Sequence, residues 1–405
     1  MHFSSCVCAA VAAAVGGVAD AQSVTFRVAT FNLRDVRSED LATGDNPRLR
    51  QIAEVIQRVR PNVILLNELA VPMAGAPGVK AGTSPDDNAK RFARLYLAHP
   101  QRSGLEPLTM SAYATTVNTG VPSGMDLNND GAVTTTLPDA PSADAEPSAA
   151  GPALQAYAND CWGFGAFPGQ YGMALLVDSR LKLEGDKART FRLLPWDYMP
   201  GGFLPKNPDG TSWFSDEEKK TVRLSSKSHW DVPVELPGGA VVHFLCSHPT
   251  PPVFDGPERR NALRNHDEIA FWADYVNDAP WIVDDAGVTG GLQRGQHFVI
   301  LGDLNADPNR GESYKSPIVQ SLGATRRVNL EFVPLAKRAV DGLGPSDTAM
   351  FGLRVDYVLP GLTMTVQGGE VWREAPTGAE KFPSDHFPVF LDITVPAEPQ
   401  APAAR

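Results

Sequence analysis

The stretch that most constrains the fold is residues 297–308, an apolar run that ends abruptly in polar side chains. Residues 298–301 are continuously apolar and partly β-branched, which is typical of a strand buried on both faces. Three polar residues spaced two apart follow it: Asp303, Asn305 and Asp307. This spacing places the polar groups on one side of the chain at a strand end, where mixed α/β proteins bind ligands. An ordinary Asx-turn before Pro308 is the alternative explanation.

The N-terminus differs from the rest of the chain because it is small and apolar. Residues 7–19 contain only Ala, Val, Gly and Cys, and Ala19-Asp20-Ala21 fits the A-x-A cleavage pattern of secretory signals. A free Ala-rich helix is the alternative, but such a helix would have no polar face. We therefore predict a signal peptide over residues 1–21, cleaved after Ala21, and a secreted or periplasmic protein. The Pro- and Ala-rich residues 397–405 are expected to form a disordered tail.

Composition and charge narrow the class of protein and its partners. The 405 residues are 42% hydrophobic and 20% charged, as in soluble globular proteins, and no later segment is apolar enough for a membrane span. The net charge of −11 becomes −10 when Asp20 leaves with the signal peptide. An acidic protein gains no long-range attraction to polyanions, so nucleic acid is a disfavoured partner and small phosphate esters remain. We expect a monomer.

Cysteine usage leaves one question open. Cys6 and Cys8 lie in the predicted signal peptide, so Cys161 and Cys246 are the two that remain. They would be able to pair in an oxidising compartment. The alternative is free buried thiols, since Cys246 lies in an apolar run, and spacing does not decide between the two.

Regular elements alternate along most of the mature chain. A strand over 24–31, an amphipathic helix over 48–60 and a buried strand over 62–66 form a βαβ unit. Further strands are predicted at 172–177, 222–236, 241–246, 353–359 and 389–394, and further helices at 87–97 and 258–276. We interpret residues 22–396 as one domain.

Polar side chains recur where these apolar strands end. They are Asn32, Glu68, His248, Asp303, Asn305, Asp356, Asp385 and His386. Most have an ordinary explanation when taken singly, such as a capped turn or a solvated strand end. Asp356 is harder to explain in that way, because a carboxylate inside an apolar strand is unfavourable unless it is paired. Many acids, two histidines and few cysteines favour Mg²⁺ or Mn²⁺ over zinc, which suits hydrolysis of a phosphate ester.

Seven short motifs in this order resemble the endonuclease/exonuclease/phosphatase superfamily. They are Thr30-Phe-Asn32-Leu-Arg34, Leu66-Asn-Glu68-Leu, Tyr171-Gly-Met-Ala-Leu, Ser247-His248, Gly302-Asp303-Leu-Asn305, Arg354-Val-Asp356-Tyr357 and Ser384-Asp385-His386. The resemblance covers residues 24–395, and it implies that residues 22–396 form one catalytic domain with insertions near 100–160 and 191–216. It implies an α/β fold, a four-layer α/β sandwich in which two mixed β-sheets pack face to face with helices outside.

The same resemblance implies roles for the site residues. Glu68, with Asn32 nearby and Asp385 as an added contact, would hold the divalent metal. Asp303 would orient or activate the attacking water, and Asn305 would bind the phosphoryl group. The remaining assignments are His248 as a donor to a phosphate oxygen, His386 as the proton-transfer histidine paired with Asp356, and Tyr171 as a residue lining the phosphate site.

Three features outside these motifs have competing explanations. Asp126, Asn128 and Asp130 match the first half of a calcium loop, but position twelve is Leu137 rather than Glu, so the loop is either a Ca²⁺ site of another kind or a solvated turn. The aromatic residues of 191–216 either line a substrate cleft or pack under a long loop. On the helix after His248, a polar stripe that includes Arg264 and Asn265 either binds phosphate or sugar, with help from Arg223, Lys227 and His229, or is a solvated face.

Four functions compete on this basis. The first is an exported metal-dependent phosphoesterase that hydrolyses small phosphomonoesters or phosphodiesters by in-line attack of water. The second is a secreted endonuclease on DNA or RNA with the same groups, which the acidic charge disfavours. A sphingomyelinase-type enzyme would need an exposed apolar hairpin that the sequence lacks. A catalytically lapsed binding module would require a substitution at Glu68, Asp303, Asn305 or His386, and none is substituted.

Overall fold

The computed structural model describes residues 23–137 and 151–396. The predicted signal peptide and the predicted C-terminal tail lie outside the described residues, as does part of the first insertion. In the described part of the chain, no helix combines the length and apolar character that crossing a membrane requires.

Twelve strands and five α-helices make up the described fold. The strands are β1 Val24–Val36, β2 Val63–Leu69, β3 Met110–Tyr113, β4 Met173–Asp178, β5 Lys182–Leu183, β6 Arg189–Thr190, β7 His229–Glu235, β8 Val241–Ser247, β9 His297–Asp303, β10 Asp356–Pro360, β11 Thr365–Val371 and β12 Val389–Val395. The helices are α1 Pro47–Val59, α2 Asp87–Phe92, α3 Pro152–Asn159, α4 Asp216–Lys219 and α5 Arg260–Val276.

The strands form two mixed sheets of six strands each. The first has the order β11-β12-β1-β2-β4-β3, and the second has the order β10-β9-β8-β7-β5 with β6 also paired to β7. In the first sheet β1 and β2 are parallel, and in the second β8 and β9 are parallel. The other pairs are antiparallel. The predicted fold, with two mixed sheets packed together, is confirmed.

Three apolar clusters show how the layers stack. One joins the inner faces of the two sheets, for example Val28 and Leu65 from the first with Phe244 and Leu301 from the second. A second packs the outer face of the first sheet against α1 and α2. A third packs the outer face of the second sheet against α5, whose Trp272 is fully buried. The order of layers is therefore helix, sheet, sheet, helix.

Local capping explains where the two main helices begin. Asn46 precedes Pro47 at the start of α1, and its Oδ1 accepts from the N–H groups of Arg48 and Leu49 at 3.0 and 3.2 Å. The loop residue Asp255 caps α5 by accepting from the N–H groups of Asn261 and Ala262 at 2.6 and 2.9 Å. These caps satisfy donors that the first helical turn leaves unpaired.

Several element boundaries differ from those predicted. The strand predicted over 222–236 begins only at His229, because the backbone carbonyls of residues 223–225 bind the Arg264 guanidinium instead of a neighbouring strand. The helix predicted over 258–276 begins at Arg260, since Arg259 has a left-handed conformation. The strand predicted over 353–359 begins at Asp356, and the helix over 87–97 continues beyond Phe92 as a π-helical turn.

Cys161 and Cys246 are both free and buried. The two thiols lie in different surroundings: Cys161 packs near Leu154 and Tyr157, while Cys246 lies between the sheets. The suggested disulfide is therefore not formed in this structure.

Candidate active site

The site lies where strand ends of the two facing sheets meet. Asn32 and Glu68 come from β1 and β2 of the first sheet, and Asp303 ends β9 of the second sheet. Asp356 opens β10 directly opposite Asp303 in the antiparallel register. Because strands of both sheets contribute, residues distant in sequence converge on one point.

Asp303 is the centre of this group. Its Oδ2 accepts a hydrogen bond from Asn32 Nδ2 at 3.0 Å, and the Nε2 atoms of His248 and His386 lie 3.6 and 3.8 Å from the same oxygen. Its Oδ1 accepts from the N–H of Asn305 at 2.9 Å. Burial raises the pKa of Asp303, the positive charge of His386 opposes this, and the carboxylate of Asp356 adds to it. A buried carboxylate with a raised pKa is suited to accept a proton.

His386 is held in one orientation by Asp356. Its Nδ1 bonds Asp356 Oδ2 at 2.9 Å, so Nε2 faces Asp303. Asp356 is itself positioned by its backbone N–H, which donates to Thr348 Oγ1 at 3.0 Å. Burial lowers the pKa of His386, but the negative charges of Asp356 and Asp303 outweigh burial and raise it above its ordinary value. His386 is therefore suited to transfer a proton through its Nε2, whose direction is fixed by Asp356.

The pKa of His248 is shifted in the opposite direction to that of His386, although both side chains face Asp303. His248 follows β8, is buried, and has a pKa well below its ordinary value because of burial and the positive charges of Lys227 and His386. His248 is therefore neutral at neutral pH. A neutral imidazole beside a phosphoryl group acts as a hydrogen-bond partner rather than as an ion.

Glu68 is joined to this centre through Asn32. The amide Nδ2 of Asn32 donates to Glu68 Oε1 and to Asp303 Oδ2, both at 3.0 Å, and Asn32 Oδ1 accepts from the N–H of Arg34 at 2.9 Å. Glu68 Oε2 accepts from the N–H of Asp35 at 2.9 Å. Burial raises the pKa of Glu68 and the nearby Asp35 adds to the shift. Asn32 thus bridges two carboxylates, and its service as a direct metal ligand stays a prediction.

These side chains fit a divalent cation. Among the described residues, ligand atoms of Asp303, Asp356 and His386 lie within 4.8 Å of one another, a spacing that could hold a metal ion. Asp356 Oδ1 and Asp35 Oδ1 are buried oxygens with no hydrogen-bond partner. A cation would favour the ionised forms of the buried carboxylates and would satisfy such oxygens. Oxygen and imidazole donors are the ligand types that hard divalent ions accept.

Asn305 and Tyr171 complete the inner part of the site. Asn305 has a left-handed backbone, with φ of +53°, and its Nδ2 donates to the carbonyl of Pro249 at 3.1 Å. Tyr171 also has a left-handed backbone, with φ of +54°, and its backbone contacts His248. The structure therefore brings both residues to the His248 side of the centre.

Comparison with known proteins shows the family to which the chain belongs. The sequence model of the Endonuclease/Exonuclease/phosphatase family matches residues 29–386, nearly the whole described chain. The chain belongs to the endonuclease/exonuclease/phosphatase family. The resemblance inferred from the motifs is thereby confirmed, and the family consists in general of metal-dependent phosphoesterases and nucleases.

Several solved structures match more than nine tenths of this chain. An endonuclease/exonuclease/phosphatase from Beutenbergia cavernae is 21% identical, with a TM-score of 0.46 over 93% of this chain and 73% of that one. The human Nocturnin catalytic domain with bound sulfate anion is 13% identical, with a TM-score of 0.44 over 91% and 94% of the two chains. Truncated Caenorhabditis elegans TDP2 is 13% identical, with a TM-score of 0.42 over 91% and 97%. The search of curated proteins found no match.

Asp385 lies at the rim of the candidate active site rather than at its centre. Its carboxylate is partly exposed and faces the exposed Arg34 guanidinium at 3.8 Å. Its backbone carbonyl accepts from the N–H of Met350, which fixes the segment that carries His386. A direct metal contact by Asp385 stays a prediction.

Contacts within the chain account for several donors of Arg264 and Asn265, and a role of the two residues as substrate ligands stays a prediction. The half-buried Arg264 guanidinium donates to four backbone carbonyls, those of Trp162, Arg223, Leu224 and Ser225. Asn265 is buried, and its Nδ2 donates to the carbonyls of Thr250 and Leu304. These contacts hold the loops around the site against α5, and Asn265 Oδ1 is a buried oxygen with no hydrogen-bond partner.

In each of the two insertions, the side chains considered as ligands or cleft residues make contacts within the chain. Asp126 accepts from the N–H groups of Asp130 and Gly131, and Asn128 Nδ2 donates to Asp130 Oδ2, so the loop closes on itself as a turn. Calcium binding by Asp126, Asn128 and Asp130 stays a prediction.

In the second insertion Trp196 is buried in the core, where its Nε1 donates to Asp267 Oδ2 at 2.6 Å. Packing, rather than a cleft, therefore accounts for Trp196.

Two site residues were missed by the sequence reasoning. Asp35 follows the Asn32 motif directly, and that adjacency was the available signal for it. Thr348 lies in an irregular segment, and its hydroxyl accepts from the N–H groups of both Val355 and Asp356. No local sequence pattern marks Thr348, because it lies outside any regular element and its partners are seven and eight residues further along the chain.

Proposed function

We propose that this protein is an exported, metal-dependent phosphoesterase that hydrolyses small phosphomonoesters or phosphodiesters by in-line attack of water on phosphorus. The observation that carries the proposal is the convergence of Asn32, His248 and His386 on one carboxylate oxygen of Asp303. Export rests on the predicted signal peptide, and the acidic net charge favours small esters over nucleic acid.

Each residue has a defined part in this proposal. Asp303 orients the water and takes its proton as the oxygen attacks phosphorus. His386, oriented by Asp356, gives a proton to the leaving oxygen as the bond between phosphorus and that oxygen breaks. Neutral His248 and the amide of Asn305 donate hydrogen bonds to phosphoryl oxygens.

The proposed cofactor is Mg²⁺ or Mn²⁺, with Ca²⁺ as a further candidate. Glu68 would hold the ion together with nearby carboxylate oxygens. When bound, the ion supplies positive charge that offsets the negative charge developing on the phosphoryl oxygens. The chain's own contribution is to keep Glu68 and Asp303 close together through the Asn32 amide.

The test is hydrolysis by metal-stripped protein, with Mg²⁺, Mn²⁺ or Ca²⁺ restored separately. The substrates are an aryl phosphomonoester, a bis-aryl phosphodiester, plasmid DNA and sphingomyelin. We expect metal-dependent turnover of the small esters and a fall of about 10²- to 10⁴-fold in kcat for His386→Ala, because proton transfer is lost. The matched control is His99→Ala, since His99 is exposed.

Each other outcome assigns a different function. Nicking of the plasmid without turnover of the small esters would support the secreted endonuclease. Hydrolysis of sphingomyelin alone would indicate a lipid phosphodiesterase. If the intact protein matches His386→Ala on every substrate and metal, the hydrolase proposal fails and the binding module takes its place.

A further inference from the structure

Lys227 is a buried cation to which the proposed mechanism assigns no role. It lies in the segment before β7, and the residue is buried, with a relative exposure of 5%. The ammonium donates one long hydrogen bond, 3.4 Å to the carbonyl of Pro249, and forms no ion pair with any acid of residues 23–137 or 151–396. An ammonium has three donors, so most of its hydrogen-bonding capacity is unused. Burial without a partner is unfavourable for a charged group.

The position of Lys227 relates it to the candidate active site. The carbonyl of Pro249 that binds Lys227 Nζ also accepts from Asn305 Nδ2 at 3.1 Å. Pro249 follows His248 directly, so Lys227, Asn305 and His248 surround one short piece of backbone. The charge of Lys227 contributes to the lowered pKa of His248, and Glu68 and Asp303 in turn act on the pKa of Lys227. The ammonium therefore lies on the side of the site where the proposed phosphoryl donors converge.

Glu268 of α5 holds this arrangement but does not neutralise Lys227. Its Oε1 accepts from the N–H and hydroxyl of Ser226 at 2.6 and 2.9 Å, and its Oε2 accepts from the N–H of Thr250 at 2.6 Å. Glu268 thereby ties the segment that carries Lys227 to the segment that follows His248. The backbone carbonyl of Lys227 also accepts from the N–H of Asn118 at 2.9 Å. The backbone of Lys227 is fixed while its ammonium keeps free donors.

A purely structural lysine would be arranged differently. Buried lysines that stabilise a fold are paired with a carboxylate or satisfied by several acceptors, since otherwise burial lowers stability. Burial lowers the pKa of Lys227, and the carboxylates of Glu268, Glu68 and Asp303 only partly offset this. A cation kept in such surroundings is matched to a negatively charged ligand that is bound part of the time.

We propose that Lys227 is a substrate-binding residue whose ammonium contacts a non-bridging phosphoryl oxygen beside Asn305. The inference rests on the proposed function and deepens it, because it assigns to this chain a second positive charge at the phosphoryl group besides the metal. In a buried site the ammonium stabilises negative charge more strongly than it would in water. The same geometry binds the tetrahedral oxyanion of inorganic phosphate, which serves as the probe.

The experiment compares wild type with Lys227→Met and with Lys381→Met, a control at an exposed lysine. Inorganic phosphate is titrated into metal-free protein by calorimetry, and thermal unfolding is recorded without phosphate. We expect Lys227→Met to bind phosphate at least about tenfold more weakly, since a charged hydrogen bond is lost. We also expect its Tm to equal or exceed that of wild type, because an unpaired buried charge is removed. Lys381→Met should match wild type in both measurements.

Turnover of the best substrate from the panel gives a second readout. Lys227→Met should lower kcat/KM by about 10²-fold, with part of the loss in KM, because the contact exists in both ground and transition states. If Lys227→Met does not fold, Lys227→Gln replaces it, since glutamine keeps a donor for the carbonyl of Pro249.

The outcomes separate this inference from the proposed function. If wild type hydrolyses none of the esters but binds phosphate more tightly than Lys227→Met, the proposed function fails and the binding role of Lys227 stands. Equal phosphate affinity in wild type and variant overturns the inference, as does absence of phosphate binding by wild type. A variant that is less stable and binds phosphate normally would assign Lys227 a structural role instead.

Discussion

At the scale of single residues, one carboxylate oxygen of Asp356 is hydrogen-bonded to His386 and the other has no hydrogen-bond partner. Oδ2 bonds His386 Nδ1 at 2.9 Å, whereas the buried Oδ1 has no hydrogen bond. The negative charge of Asp356 is one of the causes that raise the pKa of His386. The pair is therefore a means of keeping a buried imidazole protonated and correctly oriented.

Asp356→Asn tests this role while keeping the shape of the side chain. We expect kcat to fall by about 10²- to 10⁴-fold, because the histidine loses its charged partner. The pKa of His386 should fall as well, so the alkaline limb of the pH–rate profile should move to lower pH. The measurement is kcat against pH together with thermal unfolding, and the control is the exposed Asp341→Asn. Activity within about threefold of wild type would contradict the assignment.

At the scale of elements, β8 and β9 approach so closely at the site that only glycine fits between them. Gly302 has φ of +143°, and a Cβ at this position would lie 2.0 Å from the carbonyl oxygen of Ser247. Gly302 immediately precedes Asp303, so any shift of β9 moves the central carboxylate. The close strand spacing thus belongs to the geometry of the site.

Gly302→Ala should therefore damage both stability and function. We expect the free energy of unfolding to fall by about 2 kcal/mol or more, since both the clash and the backbone conformation oppose a side chain. The control is Gly368→Ala in β11, where a Cβ meets nothing within 4 Å and the expected change is below about 1 kcal/mol. Urea unfolding of both variants makes the comparison. Equal losses in the two would show that the approach of β8 to β9 is not restrictive.

The elements also show how far sequence reasoning reaches. The central strands were predictable because their apolar runs are continuous, as in β2 and β9. The edge strand β11 was not predicted, since Thr365–Val371 contains two glycines and is partly exposed. Residues 222–228 were predicted as the first part of a strand, yet Arg264 binds the carbonyls of residues 223–225. Local periodicity does not reveal a partner that comes from another element.

The same limit applies to the candidate site. Asn32, Glu68, Asp303 and His386 follow or adjoin apolar runs, so their convergence followed from the alignment of strand ends. Lys227 was predicted only as a possible addition to the polar stripe of the helix after His248, because its burial beside Pro249 depends on tertiary packing. The contacts that Arg264 and Asn265 make within the chain were not predicted, for the related reason that the orientation of α5 cannot be obtained from its charge pattern.

At the scale of the whole molecule, the site depends on the packing of one sheet against the other. Asn32 and Glu68 belong to strands of the first sheet, while His248, Asp303 and Asp356 belong to or adjoin strands of the second. The apolar cluster between the sheets lies directly beneath them. Conditions that weaken the packing of the layers should therefore reduce activity along with stability.

Acid is such a condition, because a buried neutral histidine between two layers must take up a proton as the pH falls, and this weakens their packing. His229 opens β7 in the second sheet and packs against Phe271 and Trp272 of α5, with ring centroids 4.7 and 5.0 Å away. Its Nε2 donates to the carbonyl of Glu268 at 2.8 Å, and its Nδ1 bonds the hydroxyl of Ser225. Burial lowers the pKa of His229 to about 4, although the Glu268 carboxylate and carbonyl oppose this.

The sign of the resulting pH dependence follows from proton linkage. Because the folded pKa lies below the unfolded value of about 6.5, the unfolded state binds the proton first. The stability from neutral His229 is therefore fully present above pH 6.5 and is lost as the pH falls towards 4. Between pH 7.5 and pH 5 the loss is about 2 kcal/mol for this one group. His229→Gln keeps a donor and an acceptor but cannot titrate.

We therefore expect wild type to lose about 2 kcal/mol more than His229→Gln between pH 7.5 and pH 5, when both are unfolded with urea. Carboxylates and His248 contribute equally to both proteins, so the difference isolates His229. His99→Gln at an exposed position should follow wild type. Parallel curves for wild type and His229→Gln would mean that the imidazole is not held neutral between β7 and α5. A difference of the expected sign would establish that the packing of the second sheet on α5 weakens in acid.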